Sequence, residues 1–200
     1  MIFRLLRSFI GITISAFAIS CITNSGLGAF AMTTTVQAIA SWSGFTYAIA
    51  NLIMESSMIA YAIYKGEGLG LNAIISATYG SFMIGLFNTI LPFNTLIGLG
   101  GLLMPIGFAI SGTAGLGDSG PNILLRALMK TTGKSVGIIR FAEDIICLII
   151  GFFGARAYVS WFSILLTVVT GPIMQAEYKV IHYSPTKIKH KFIIGGHSNE

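Results

Sequence analysis

Charged side chains are scarce in this 200-residue chain, which has 12 Lys and Arg, 7 Asp and Glu, and a mean hydropathy of +0.81. None of these four residue types occurs in the 47 residues of 8–54 or in the 50 residues of 68–117. Soluble globular domains carry about 25% charged residues, so the 10% found here excludes a soluble globular domain. Each uncharged run is long enough for two crossings at about 20 residues per helix, which predicts a polytopic helical membrane protein.

Cysteine and histidine are also scarce. Cys21 and Cys147 are the two cysteines, and each lies in an apolar run, so a disulfide framework is not expected. The three histidines, His182, His190 and His197, all lie near the C-terminus at spacings unlike those of a metal site. Because the apolar runs contain no histidine, no zinc motif and no nucleophile with a recognisable base, we expect no enzyme activity, cofactor or bound metal.

Breakers and charges divide the apolar sequence into six predicted spans. The predicted spans are 9–27, 44–64, 69–91, 95–114, 135–155 and 157–178. Pro105 and Pro172 lie within two of them and predict kinks. We expect one membrane domain over 1–180, followed by a flexible cytoplasmic tail over 181–200.

The distribution of Lys and Arg predicts the orientation, because cytoplasmic loops of membrane proteins are rich in these residues. With the N-terminus inside, ten of the twelve lie on the cytoplasmic side, whereas Arg156 lies outside and Arg140 within a span. The sequence therefore predicts a plasma-membrane protein with both termini cytoplasmic. The net charge of +5 then reflects topology and contact with anionic lipid, so the bilayer is the expected partner and nucleic acid is not.

An internal repeat is visible at an offset of 89 residues. Gly26-Leu27-Gly28 recurs as Gly115-Leu116-Gly117, and the same offset pairs Glu55 with Asp144. The order of elements also repeats: a span, a Gly-x-Gly break, a short segment and two spans. Because three crossings per unit turn the second copy upside down, the pattern predicts inverted repeats, repeat A over about 8–91 and repeat B over about 95–178.

The short segment of each repeat has its own composition. Residues 121–132 begin with proline and place Arg126 and Lys130 among apolar residues, which predicts a basic helix in the cytoplasmic interface. Residues 29–42 are uncharged and could be interfacial or re-entrant. The predicted fold is an all-α polytopic membrane bundle of six transmembrane helices, arranged as two inverted three-helix repeats with short interfacial helices.

Ionisable residues inside spans cost about 2.5–3.5 kcal/mol each on insertion, so they require a partner, water or a function. The spans contain Glu55, Arg140, Glu143 and Asp144, and Asn51 lies one turn before Glu55. Arg140 can pair with the acids three and four residues later on its own helix. Fully ionised, the cluster would have a net charge of −2. We therefore expect a structural ion pair, a protonated carboxyl, or a site for a proton, metal ion or cationic substrate.

A second candidate site lies in the Gly-rich turn before residue 121. Residues 115–120 match the dinucleotide pattern G-x-G-x-x-G, but a membrane helix precedes them instead of a strand, so nucleotide binding is not expected. A Gly-rich turn at a helix start can bind an anion through backbone N–H groups. Gly117, Ser119 and Arg126 are therefore candidates for binding a lipid headgroup or phosphate.

Several glycine-rich and charged motifs recur in the second half of the chain: Gly115-Leu116-Gly117, Gly120-Pro121, Thr132-Gly133-Lys134-Ser135-Val136-Gly137, Arg140 with Glu143, Gly151, and Gly171-Pro172. Together they resemble the YczE/YyaS-like group of bacterial integral membrane proteins. The resemblance covers residues from about 21 to 178. It implies a multi-pass plasma-membrane protein of bacterial type, without a settled activity.

The predicted spans, repeat and intramembrane acids favour a small transporter or permease-like protein of unknown substrate. The substrate would be a small molecule or ion at a midplane site formed by Asn51, Glu55, Arg140, Glu143 and Asp144. Two alternatives remain open: a ligand-capture membrane subunit of a multi-component transporter, and an accessory protein of a membrane enzyme complex. A homo-oligomer or partner subunits are compatible with all three.

Overall fold

The computed structural model describes residues 1–169 and Pro172, and every regular element within these residues is helical. The α-helices are α1 (Ile2–Thr23), α2 (Ala31–Ser43), α3 (Tyr47–Tyr64), α4 (Leu71–Ile75), α5 (Ser81–Ile90), α6 (Met104–Gly112), α7 (Gly120–Thr132), α8 (Val136–Gly154) and α9 (161–169). A π-helical turn, Ser76–Gly80, joins α4 to α5, and 3-10 helices cover Thr95–Leu103 and Arg156–Tyr158. The all-α prediction is confirmed. The tail predicted over 181–200 lies outside the described residues.

Among the described residues, two continuous helices are long and apolar enough to cross a membrane, Ile2–Thr23 and Leu71–Ile90. A shorter apolar helix covers Gly98–Gly112. The first five predicted spans each coincide with a helical segment, and α9 begins the sixth. The segments predicted at 29–42 and 121–132 are the short helices α2 and α7.

The fourth predicted span differs from expectation because it is not one α-helix. It starts as the 3-10 helix Thr95–Leu103 and continues as α6, with Pro105 in the first turn of α6. Proline fits a first turn, where its missing N–H would have no partner within the helix, but disrupts a helix interior. The kink predicted at Pro105 is therefore a change of helix type just before it. The residues on both sides of Pro172, where the second kink is predicted, lie outside the described residues.

α1 and α6 form the central contact of the bundle. A Cβ atom on Gly11 would lie 2.5 Å from the backbone N of Ser111, and one on Gly107 would lie 2.6 Å from the backbone N of Ser15. Glycine is therefore required at both positions for this close approach. Because the contacts advance along α1 as they recede along α6, the two helices run antiparallel.

The two short helices exchange partners between the halves of the chain. α2, which precedes α3, packs mainly against α8, and α7, which precedes α8, packs mainly against α3. The turns around them match as well: Gly26 and Gly115 both have φ +72°, while Gly44 and Gly133 end α2 and α7 at φ +73° and +68°. Such left-handed turns strongly favour glycine. The two halves are therefore interlocked, and their short helices are bounded by equivalent turns.

The connections between helices gather at two ends of the bundle. At the first end, hydrogen bonds join the connections after α1, α5 and α8, among them Asn24 Nδ2 to Leu91 O (3.0 Å), Asn94 N to Asn24 O (3.1 Å) and Ala29 N to Tyr158 O (2.9 Å). At the second end, the Asn72 N–H donates to Leu116 O at 3.1 Å, and Arg4 lies beside Gly115. Successive long segments thus run from one end to the other.

Candidate functional site

A cavity of about 100 Å³ lies between the two interlocked halves. Its wall is formed by residues of α1, α2, α3, the π-helical turn, α5, α6, α7, α8 and α9. One water molecule needs about 10–15 Å³ by a comparable measure, so the cavity has room for several waters or a small ligand. Most of its wall is apolar, with a few polar groups contributed by both halves.

The structure brings four of the five predicted site residues to this cavity. Asn51 and Glu55 line it from α3, and Arg140 and Asp144 line it from α8. Glu55 and Asp144, which the 89-residue offset pairs, thus share one cavity. Glu143 does not line the cavity and is connected to it only through its contact with Arg140.

The charges of α8 are paired with one another. Arg140 Nη1 lies 3.3 Å from Glu143 Oε2, and Arg140 Nε lies 3.2 Å from Asp144 Oδ1. Asp144 is 2% exposed and Arg140 is 9% exposed. The pairing within one helix that the sequence predicts is therefore present. Fully ionised, this α8 triad would have a net charge of −1.

Glu55 has only neutral hydrogen-bond partners. Asn51 Nδ2 donates to Glu55 Oε1 at 3.2 Å, and Ser76 Oγ donates to Glu55 Oε2 at 2.9 Å. Asn51 Nδ2 also donates to Ser81 Oγ at 2.8 Å, which fixes the orientation of the amide. In the part of the chain that the structure describes, no Lys, Arg or His forms an ion pair with Glu55. An ionised Glu55 would thus be buried without a cationic side chain.

The Glu55 carboxyl lies at the start of α7. The Gly120 N–H donates to Ser76 Oγ at 3.3 Å, and a Cβ atom on Gly120 would lie 3.1 Å from Glu55 Oε2. The N-terminus of a helix is its positive end, which stabilises a nearby carboxylate. The π-helical turn that carries Ser76 has no signal in the sequence, so Ser76 is not among the predicted site residues. Its polarity within an apolar span was the available clue.

The N-termini of both short helices open onto the cavity. Phe30, Ala31, Met32 and Thr33 line it at the start of α2, and Ser119, Pro121 and Asn122 line it at the start of α7. Neither helix has a side-chain hydrogen bond at its N-cap. The first N–H groups of a helix lack partners within the helix, so both ends present polar backbone to the cavity.

A second polar cluster ties α7 to the turn between α3 and α4. Glu67 Oε2 lies 2.5 Å from Arg126 Nε, Glu67 Oε1 lies 2.5 Å from Lys130 Nζ, and Arg126 Nη1 lies 2.7 Å from Asp118 Oδ2. We call these four residues the ion-pair cluster. The hydrogen bond and charge of Lys130, together with those of Arg126, hold the pKa of Glu67 below its usual value. The cluster has two charges of each sign. It connects α7 to the turn between α3 and α4 at the second end of the bundle.

The three candidates for an anion site do not share one location. Gly117 packs on Gly70, since a Cβ atom on Gly117 would lie 2.7 Å from the Gly70 Cα. Ser119 lines the central cavity, whereas Arg126 lies two turns further along α7 in the ion-pair cluster. An anion at Arg126 would have to compete with two carboxylates. Binding of a headgroup or phosphate here stays a prediction.

Over the described residues, these features define an all-helical protein that encloses a largely apolar cavity, with a few polar and ionisable groups, between two interlocked halves. The chain belongs to the DUF6198 family, a family of unknown function, which matches residues 2–179. Neither a curated protein nor a solved structure matches the chain. The similarity to the YczE/YyaS-like group stays a prediction, and the function must be inferred from the cavity itself.

Proposed function

We propose that this protein is a membrane transporter that carries a small solute or ion by exposing the central cavity to each side of the bilayer in turn. The observation that carries the proposal is the cavity itself. It lies between two interlocked halves, contains the ionisable residues Glu55, Arg140 and Asp144, and receives the N-terminus of one short helix from each half. Inverted-repeat transporters place discontinuous helices around a midplane site in this way.

The inverted arrangement is supported by three features of the fold. α1 and α6 occupy equivalent places in the two repeats and run antiparallel. α2 and α7 exchange partners between the halves, and equivalent glycines adopt matching backbone turns. A two-fold axis in the membrane plane would produce each of these relationships.

Location in a bilayer with six crossings is supported by the surface and by the two ends of the bundle. Large apolar side chains cover the exterior, and Phe153 and Trp161 are 78% and 72% exposed. Soluble monomers rarely expose large contiguous apolar patches, whereas a lipid-facing surface requires them. In the described residues five long segments alternate between the two ends and α9 begins a sixth, which supports six crossings.

The orientation follows from the charges at the two ends. Arg4, Lys65, Arg126 and Lys130 belong to the second end, whereas Arg156 follows α8 at the first end. The positive-inside rule places the second end in the cytoplasm of a bacterial cell, and the N-terminus lies there too.

Site-directed thiol labelling tests the proposal. Ser119 suits a cysteine probe because it lines the cavity and its side chain makes no capping hydrogen bond. Ser119→Cys would be made with Cys21→Ala and Cys147→Ala, reconstituted into liposomes, and treated with a membrane-impermeant thiol reagent added outside or trapped inside. We expect labelling from both sides, because a transporter opens its cavity alternately.

The matched control is Ser56→Cys in the same background, since Ser56 is exposed on the outer surface of α3 and should face lipid. It should react from neither side. Labelling of Ser119→Cys from one side alone would instead favour a ligand-capture subunit. Labelling from neither side would favour an accessory protein, and either result would overturn transport.

A further inference from the structure

We infer that the central cavity binds a small organic cation of the ammonium type, held by Glu55. The inference rests on the proposed function, since it names the substrate class of the same cavity. Three observations carry it: the charge balance of the wall, the apolar and aromatic character of that wall, and a buried hydroxyl without a partner.

The charges in the cavity wall and directly next to it call for one positive charge. The α8 triad, in which Glu143 contacts Arg140 but does not itself line the cavity, contributes −1 when ionised, and Glu55 contributes another −1 without a cationic side chain in the described residues. The N-termini of α2 and α7 each contribute roughly +0.5. About one negative charge remains, and an isolated charge is costly to bury in a medium of low dielectric constant. A single monovalent cation compensates it, whereas a divalent ion would leave an excess of positive charge.

The composition of the wall favours an organic cation over a metal ion. Phe30, Tyr47, Met104 and Phe108 line the cavity with other apolar side chains. Hard metal ions are held by six or more oxygen ligands, and this wall offers few. Aromatic faces, in contrast, attract ammonium groups, and quaternary ammonium ions are recognised in this way. An alkylated ammonium can therefore place its charge near Glu55 and its methyl groups against the apolar wall.

Ser15 adds a polar contact that the protein itself does not use. Ser15 lines the cavity and is 4% exposed, and its Oγ, which packs against Gly107 of α6, has no hydrogen-bond partner among the described residues. A buried hydroxyl without a partner costs about 1–3 kcal/mol, so a ligand N–H that reached it would be favoured. Arg140 is paired with Glu143 and Asp144. A ligand carboxylate at this guanidinium would have to compete with two carboxylates, which argues against amino acids.

Binding can be measured on the purified full-length protein in detergent. The probes are methylammonium and tetramethylammonium chloride, with NaCl and KCl at equal ionic strength and tert-butanol as an uncharged analogue of similar shape. We expect saturable heat by titration calorimetry and a rise in the thermal unfolding midpoint with at least one ammonium salt. Sodium, potassium and tert-butanol should give neither effect.

Three variants connect binding to Glu55 and Ser15. Glu55→Gln should weaken ammonium binding about thirtyfold or more, because it removes one partner of a buried charge pair. Glu67→Gln makes the same chemical change in the ion-pair cluster, outside the cavity, and should leave the affinity unchanged. Ser15→Ala should weaken binding by a few fold. If Glu55→Gln does not fold, Glu55→Asp retains the charge with a shorter reach and should bind measurably less tightly.

Any of three results would overturn the inference: unchanged affinity in the Glu55 variants, an equal response to sodium or tert-butanol, or no saturable response to either ammonium ion. Failure here is distinguishable from failure of the proposed function. Labelling of Ser119→Cys from both sides would leave transport standing without an ammonium ligand. Tight ammonium binding with labelling from one side would retain the ligand and exclude transport.

Discussion

The two short helices begin at the same cavity but are held in place by different forces. α7 carries Arg126 and Lys130, and both bind acidic residues of the ion-pair cluster. α2 contains no charged residue. The Thr35 hydroxyl donates to the carbonyl of Cys147 at 3.1 Å. The Thr34 hydroxyl donates to Ala31 O within α2 at 2.7 Å and lies 3.3 Å from the same Cys147 carbonyl, so the contacts of α2 with α8 are neutral.

Close packing completes the attachment of α2. A Cβ atom on Gly151 would lie 2.5 Å from Thr34 Cβ, and one on Gly154 would lie 2.7 Å from the indole of Trp42. Equivalent helices in a repeat therefore need not be held by the same kind of interaction. Ion pairs respond to pH and salt, whereas close packing responds to shape. If the cavity opens at either end, the two ends should therefore be sensitive to different perturbations.

Replacing Gly151 by a larger residue should reduce the stability of the protein more than any other change considered. Gly151→Leu would force a side chain into Thr34, which is fully buried, and should separate α2 from α8. Overpacking of this kind costs about 3 kcal/mol, the upper part of the usual range. The midpoint of SDS-induced unfolding and the yield of monodisperse protein would both fall.

The matched control for Gly151→Leu is Gly68→Leu. Gly68 is exposed, and a Cβ atom there would have no neighbour within 4 Å. This variant should change stability by less than about 0.5 kcal/mol. Equal losses in the two variants would contradict the role of close packing at α2.

An intermediate effect is expected at α7 from Glu67→Gln. The change removes the carboxylate shared by Arg126 and Lys130, while the side chains of these partners stay 29% and 63% exposed and can be hydrated. We therefore expect a loss of about 1–2 kcal/mol, below the cost of breaking a fully buried pair. Hydrogen exchange should rise over 126–132, the part of α7 that carries both cations, and stay unchanged over 31–43. Lys130→Gln, which removes only the most exposed partner, should cost about 0.5 kcal/mol.

The same carboxylate predicts a pH dependence that α2 lacks. Because Lys130 and Arg126 lower the pKa of folded Glu67 from 4.5, its contribution to stability is complete well above pH 4.5. The contribution is lost as the pH falls through the lower pKa of the folded state. Wild type should therefore lose stability in acid relative to Glu67→Gln. Parallel pH profiles for the two proteins would contradict the assignment.

Structural features that depend on neighbouring residues or on the internal repeat could be predicted from the sequence. The 89-residue offset pairs Gly44 with Gly133, and both end a short helix in the left-handed conformation. The same offset brings Glu55 and Asp144 to one cavity. Spacings of three and four residues were enough to predict the pairing of Arg140 on its own helix.

Features that depend on packing between distant segments could not be predicted. Glu67 meets Arg126 across 59 residues of sequence, and nothing local to either residue indicates the contact. The π-helical turn that brings Ser76 to Glu55 has no sequence signature. Pro105 correctly indicated an irregularity in the fourth predicted span. Its nature, a 3-10 helix before α6, depends on how the backbone adjusts to a residue without an N–H donor.

A small effect is expected from Thr35→Val, which tests whether the attachment of α2 is independent of charge. This change keeps the shape of the side chain and removes the hydrogen bond from Thr35 to Cys147 O, while the longer contact from Thr34 remains. We expect a loss of about 0.5–1 kcal/mol, the net value of one neutral hydrogen bond. Because no ion is involved, the loss should be the same at low and high salt, whereas the loss in Glu67→Gln should shrink as salt screens the wild-type ion pairs. SDS-unfolding midpoints at two ionic strengths would separate the two cases. A salt-dependent loss in Thr35→Val would mean that the two short helices are held by more similar forces than their contacts indicate.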